Sequence, residues 1–186
     1  MPGPKFIFFH VLAPHPPFFF DREGNEVKNS GLQSMTWSPP EKYVDQLIYV
    51  NKRILECIKV LLASPHKVSP IIVIQSDHGP GITLEDERRW DDPTPLNLHE
   101  RLGNFCAIYM SEPGRSMLTQ SVTPVNLFRI IFKSTFGADT DLLPDRLYFG
   151  MPGMPLRFRD VTDQVLSYEK SYSVIKRAKS PVLSTD

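Results

Sequence analysis

The chain has 186 residues, 41% of them hydrophobic and 11% aromatic, which is enough for a domain with a real core and excludes a disordered chain. Its 21 Lys and Arg balance 21 Asp and Glu, so charge makes no case for nucleic acid or an anionic membrane surface. No apolar run approaches the ~20 residues that cross a bilayer, and no signal peptide is visible, so this chain alone reads as soluble.

In chain order, "KFIFFHVLA" (5–13) is a continuous apolar, aromatic and β-branched run that suits a strand buried on both faces. "PHPP" ends it, because proline cannot donate to a ladder. Residues 21–38 are polar and carry Gly24, Asn25, Asn29 and Gly31, the composition of a loop. A helix follows, with Ser38 as N-cap, Pro39 and Pro40 in its first turn and Glu41 complementing its dipole. Tyr43, Leu47, Val50, Ile54, Ile58 and Leu61 form its apolar stripe, and it ends near Ser64-Pro65. "IIVIQ" (71–75) is a second buried strand. Strand, helix, strand predicts a βαβ unit with parallel strands.

Residues 82–101 are dense in charge around Trp90, as in an exposed excursion or a short helix over the sheet edge. "NFCAIYM" (104–110) predicts a third strand. "SVTPVNLFRIIFKSTFG" predicts a helix with Thr123 as N-cap, Pro124 at its first position and Gly137 at its end. "DRLYFG" and "LRFRDVT" predict a terminal hairpin. From about Ser167 the sequence is polar, basic and without periodicity, as in a loose tail. Cys57 falls on the helix and Cys106 on the third strand, which favours two free buried thiols over a disulfide.

In open α/β sheets, ligands bind beyond the carboxyl ends of the parallel strands. His15, with His10 nearby, follows the first strand, and Asp77 and His78 end the second. "GPG" after them lets backbone turn sharply and approach a ligand. Asp with His suits a divalent cation such as zinc or manganese. Adjacent strand residues point to opposite faces, so the two side chains converge only where the strand has ended. The alternative is an aspartate capping a turn beside a histidine satisfied by a backbone carbonyl. Ser76-Asp77-His78 is no catalytic triad, because three consecutive residues cannot form that relay. His66, beside Pro65 in a turn, is expected to be exposed and idle.

"FIFFHVLAPHPPFFFDREGN", "YVDQLIYVNKRILECI", "VIQSDHGPG", "ERLGNFCAIYM", "SVTPVNLFRIIF" and "LLPDRLYFG…LRFRDVTD" together resemble the C-terminal part of sulfatase-like proteins of the alkaline phosphatase superfamily. Within it they are most similar to the bacterial group of lipoteichoic acid synthase-like and phosphoethanolamine transferase-like enzymes. The resemblance implies an α/β fold, a mostly parallel sheet flanked by helices and incomplete at its N-terminal side. Residues 1–166 would be the C-terminal part of the catalytic domain, and 167–186 a polar tail.

The resemblance further implies metal-dependent hydrolysis or transfer of a phosphate or sulfate ester. Asp77 and His78 match the family's metal-binding pair, for zinc, manganese, magnesium or calcium. His15 matches a histidine that contacts the substrate anion or a second metal. His10 matches a strand histidine that lines the site or is satisfied in the core. His99 and Arg101 fall where some relatives place another ligand or a substrate-binding cation, although a surface salt bridge also suits Arg101.

The family's Thr or Ser nucleophile, or the modified Cys of true sulfatases, precedes the His10 strand. None is identified here, so the isolated chain is expected to be weak or inactive. Full-length relatives are membrane-tethered and extracytoplasmic, and any membrane attachment here would need a preceding segment. An exposed apolar sheet edge and face would favour a homo-oligomer or pairing with the N-terminal half that the family places before this part. The competing reading is a non-catalytic metal- and anion-binding or assembly module.

Overall fold

The computed structural model describes residues 3–28, 35–87, 90–119, 122–151 and 153–179. Parts of the expected loop (29–34), Arg88 and Arg89, and residues 180–186 of the expected tail lie outside them. The chain forms two compact units, Met1–Ser64 and Pro65–Asp186.

The first unit is built on helix α1 (Pro40–Ala63). Its stripe forms as the spacing predicts from Tyr43 to Ile58, while Leu61 is exposed; Pro39 takes the N-cap position and no side chain caps the helix. Proline suits this end because the first amides have no helical partner to lose. The helix does not cover residues 5–13. Its inner face is taken by the turn after them: Tyr43 meets Phe18 and Trp37 edge-on, and Tyr49 tilts against Phe20. Phe18, Trp37, Gln46 and Val50 form the buried centre. The Gln46 carboxamide oxygen accepts from the Phe19 and Phe20 amides at 2.8 and 3.2 Å, and its nitrogen donates to the His15 carbonyl at 3.3 Å. The expected buried strand at 5–13 is therefore not formed. Phe6 (83%), Ile7 (79%), Phe8 (78%), Phe9 (84%) and Leu12 (76%) are exposed. Cys57 is exposed on α1 rather than buried, while Cys106 is half-buried, and both are free thiols.

The second unit is mixed α/β. Strand β1 (Ile72–Gln75) pairs antiparallel with β2 (Cys106–Tyr109), Ile72 opposite Tyr109 and Gln75 opposite Cys106. Helix α4 (Pro124–Phe136) covers one face of this ribbon. It has the expected limits, Thr123 before Pro124 and Gly137 closing it at φ 65. Thr123 does not cap it by side chain; its hydroxyl donates instead to Asp145 Oδ1 at 2.6 Å. Met110, Leu127 and Ile131 bury there against Val73, Cys106 and Ile108, at about 1.5–3 kcal/mol for each large side chain removed from water.

The charged excursion folds as helices α2 (Ile82–Glu87) and α3 (Pro95–Leu102). Thr94 caps α3 reciprocally with Asn97: the Thr94 amide donates to Asn97 Oδ1 at 2.8 Å and the Asn97 amide to Thr94 Oγ1 at 3.3 Å. Strands β3 (Tyr148–Met151) and β4 (Met154–Asp160) form the expected hairpin. Helix α5 (Thr162–Lys179) occupies most of the stretch read as a tail. Its start is fixed by Val161 and Val165, which bury with Leu84, Leu98 and Phe149 in a second core cluster. Both sheets of the described residues are two-stranded and antiparallel. No helix of the described residues is long and apolar enough to cross a membrane.

Candidate functional site

The turn that leaves β1 is held from two sides. Ser76 locks it to the start of β2: its amide donates to the Phe105 carbonyl at 2.9 Å, and its hydroxyl accepts from the Phe105 amide at 2.7 Å. Asn104 adds a bond to the Ser76 carbonyl at 3.2 Å. Gly79 locks it to the end of α3. The Gly79 amide donates to the Arg101 carbonyl at 2.8 Å, and the Arg101 guanidinium donates back to the Gly79 carbonyl at 3.1 Å. A Cβ on Gly79 would stand 1.9 Å from the Glu100 carbonyl oxygen, so only glycine admits this approach. Glu100 in turn accepts from the Thr83 amide at 3.1 Å and steadies the start of α2.

Between these anchors Asp77 and His78 come together, as a strand that has ended permits. Asp77 Oδ2 lies 3.4 Å from His78 Nε2. The aspartate is 86% exposed at its side chain and the histidine 28%. The other carboxylate oxygen accepts from the His78 amide at 3.0 Å. His78 Nδ1 lies 2.8 Å from the Gly79 carbonyl oxygen. A carbonyl only accepts, so Nδ1 donates in this contact, and Nε2 faces the Asp77 carboxylate. Of the two alternatives posed by the sequence, the contact seen here is that of a histidine satisfied by a backbone carbonyl. A backbone carbonyl that fixes the tautomer is the usual partner of a ligating imidazole.

Arg101 is the cation of this turn. Its burial lowers the guanidinium pKa from its ordinary value, and the charges of Asp77 and Glu100 oppose that shift. The guanidinium also lies 5.7 Å from the centre of the Trp90 ring, in cation–π range. His99 takes the other side of α3, since residues two apart on a helix point about 200° away from each other. Its Nδ1 lies 3.6 Å from Glu169 Oε1, and its ring 5.2 Å from that of Tyr168, both on α5. The structure therefore brings Arg101 to Asp77 and His78, and sets His99 against α5.

His15 and His10 belong to the first unit. His15 Nδ1 lies 2.6 Å from the Pro16 carbonyl oxygen, and its ring meets Trp37 edge-on at 5.2 Å. As in His78, Nδ1 donates to the carbonyl. His10 is exposed, with its ring 6.3 Å from that of Phe8, so the reading of a satisfied core histidine does not hold. His66 is exposed, as expected.

Sequence reasoning missed the Gly79–Arg101 clamp and the place of Trp90. "GPG" announced a close backbone approach but not its partner, and Trp90 stood in a run whose charge pointed to solvent.

Among the described residues, no three His, Cys, Asp or Glu side chains gather as a metal site. The donor chemistry and spacing of Asp77 and His78 nevertheless fit one ion, because two donors each about 2.1 Å from a tetrahedral cation lie about 3.4 Å apart. No family model matches the chain, and no curated protein or solved structure was found to match it.

Proposed function

We propose that the protein takes part in metal-dependent hydrolysis or transfer of a phosphate or sulfate ester, with Asp77 and His78 holding a divalent cation. The observation that carries this reading is the 3.4 Å spacing of Asp77 Oδ2 and His78 Nε2, with the ring held through Nδ1 by the Gly79 carbonyl. Two protein donors leave positions for water and for the oxygens of an ester. The ion supplies Lewis acidity toward such an oxygen when bound. Arg101 offers positive charge beside the carboxylate and holds the turn in register through Gly79. His15 keeps its anion-contact role, and His10 and His99 their subsidiary ones, by resemblance alone. No residue of this chain is assigned as the nucleophile.

The finer fold expectation, a mostly parallel sheet of the alkaline phosphatase kind, belongs to the same proposal, as does an extracytoplasmic setting. The fold expectation rests on the motifs quoted above and on a long helix followed by a strand with Asp-His-Gly just beyond its end; the setting rests on the resemblance alone. Metal content of protein purified without chelators tests the reading. The wild type is expected to retain close to one equivalent of a divalent ion, and Asp77→Ala/His78→Ala to retain none above background. Equal metal in the two removes the assignment.

A second reading, a non-catalytic assembly module, is favoured by the exposed apolar run at residues 6–12. Metal binding without ester turnover, in protein that self-associates, would select it.

A further inference from the structure

The clamp on the Asp77–His78 turn contains more than the turn needs. The Gly79 amide already ties it to the Arg101 carbonyl at 2.8 Å, a backbone bond that any residue at 101 could supply. Yet the Arg101 side chain is half-buried beside it, and burial disfavours its charge. Among the described residues the guanidinium makes one hydrogen bond, 3.1 Å to the Gly79 carbonyl oxygen, and no ion pair. That same oxygen lies 2.8 Å from His78 Nδ1. A carbonyl has two lone pairs, so it accepts from both donors at once.

Trp90 backs the guanidinium. The guanidinium carbon lies 5.7 Å from the centre of the Trp90 ring, and that ring stacks on Phe149 with centroids 6.3 Å and planes 21° apart. Phe149 is buried with Leu84, Leu98, Val161 and Val165. A line of contacts therefore runs from this core cluster through Trp90, Arg101 and the Gly79 carbonyl to the His78 ring. Arginine suits the middle of such a line. Its planar group donates in its own plane while its face rests on an aromatic ring, and a lysine ammonium has no such face.

We propose that Arg101, backed by Trp90, is a positioning residue for His78: by sharing the Gly79 carbonyl with Nδ1, it sets the direction in which Nε2 meets Asp77. The inference rests on the reading that Asp77 and His78 hold a cation, and adds to it two residues that act through the ring rather than on the ion. A ligand ring already held in its bound direction loses less freedom on binding, and partners of this kind are worth about 10–100-fold in metal affinity. Charge alone predicts the opposite sign. A guanidinium beside a cation repels it, so its removal would tighten binding if repulsion were its whole effect.

Cobalt(II) titration of the full chain, read by visible absorption, separates the two signs. Arg101→Met is expected to weaken binding by about tenfold or more. Arg101→Lys keeps the charge but loses the planar fork, and is expected to weaken it as well. Trp90→Phe keeps an aromatic face and should stay within about threefold of wild type, while Trp90→Ala should fall toward Arg101→Met. Hydrogen exchange in α3 and β1, measured alongside, is expected to match wild type, which separates lost positioning from lost folding. If Arg101→Met fails to fold, Arg101→Lys decides. Binding by the deciding variant as tight as wild type, or tighter, overturns the inference and leaves the metal reading standing. A wild type that binds no cobalt, or whose binding survives Asp77→Ala/His78→Ala, overturns both.

Discussion

"FIFFHVL" at residues 6–12 and "IIVIQ" at 71–75 are alike in apolar and β-branched content, yet they come to opposite ends. The second is a half-buried strand with β2 on one edge and Leu127 and Ile131 of α4 near one face. The first is exposed along its length. What separates them is the supply of partners within each unit. A strand needs an edge to pair with and a face to bury against, and composition provides neither. In the first unit α1 directs its inner face to Phe18, Phe20 and Trp37, and residues 6–12 are left over.

The largest expected effect comes from cutting the better-partnered run. Leu127→Ala, under the β1–β2 ribbon, should lower stability by about 3 kcal/mol in urea denaturation. Phe8→Ala should stay within about 0.5 kcal/mol of wild type. Equal losses would erase the difference between the two runs.

A middle-sized effect probes what replaces the first run as the centre of its unit. Gln46→Leu leaves the Phe19 and Phe20 amides without their acceptor and should cost about 2 kcal/mol. It should also loosen the turn that carries His15, read as faster amide exchange at residues 15–20. An unchanged melt and unchanged exchange would show that this turn is held by its aromatic contacts alone.

The smallest effect lies at the hairpin. Bonds from the Thr162 hydroxyl and amide, then Arg146, hold the Asp160 carboxyl below its ordinary value of 3.8. A carboxylate favoured in the folded state stabilises fully above 3.8, and that gain disappears as pH falls through the lower folded value. Asp160→Asn should therefore weaken the fold slightly at neutral pH, with the difference from wild type fading below 3.8. A difference constant across that range would contradict it.

The sequence reached local structure well where local chemistry decides. Pro124 and Gly137 bracket α4 because they suit a helix start and a left-handed end. The hairpin likewise follows from two strand-like runs flanking a glycine and prolines. Burial of residues 5–13 was not legible, because it depends on what α1 packs against. Helix α5 was not legible either: it is anchored through Val161 and Val165 to a cluster assembled from distant segments. In the proposed site, Asp77 and His78 were picked out by their place just past a strand end. That Arg101 rather than His99 would join them depended on the rotation of α3, which its Thr94 cap and the Gly79 approach fix.

The assignment of a cation to Asp77 and His78 is tested most directly by titrating the full chain with cobalt(II) and recording its visible spectrum. The 3.4 Å donor spacing predicts the intense absorption of a four-coordinate ion, saturating at one equivalent and lost in Asp77→Ala/His78→Ala. A weak six-coordinate spectrum, or one that the double substitution leaves unchanged, would contradict it.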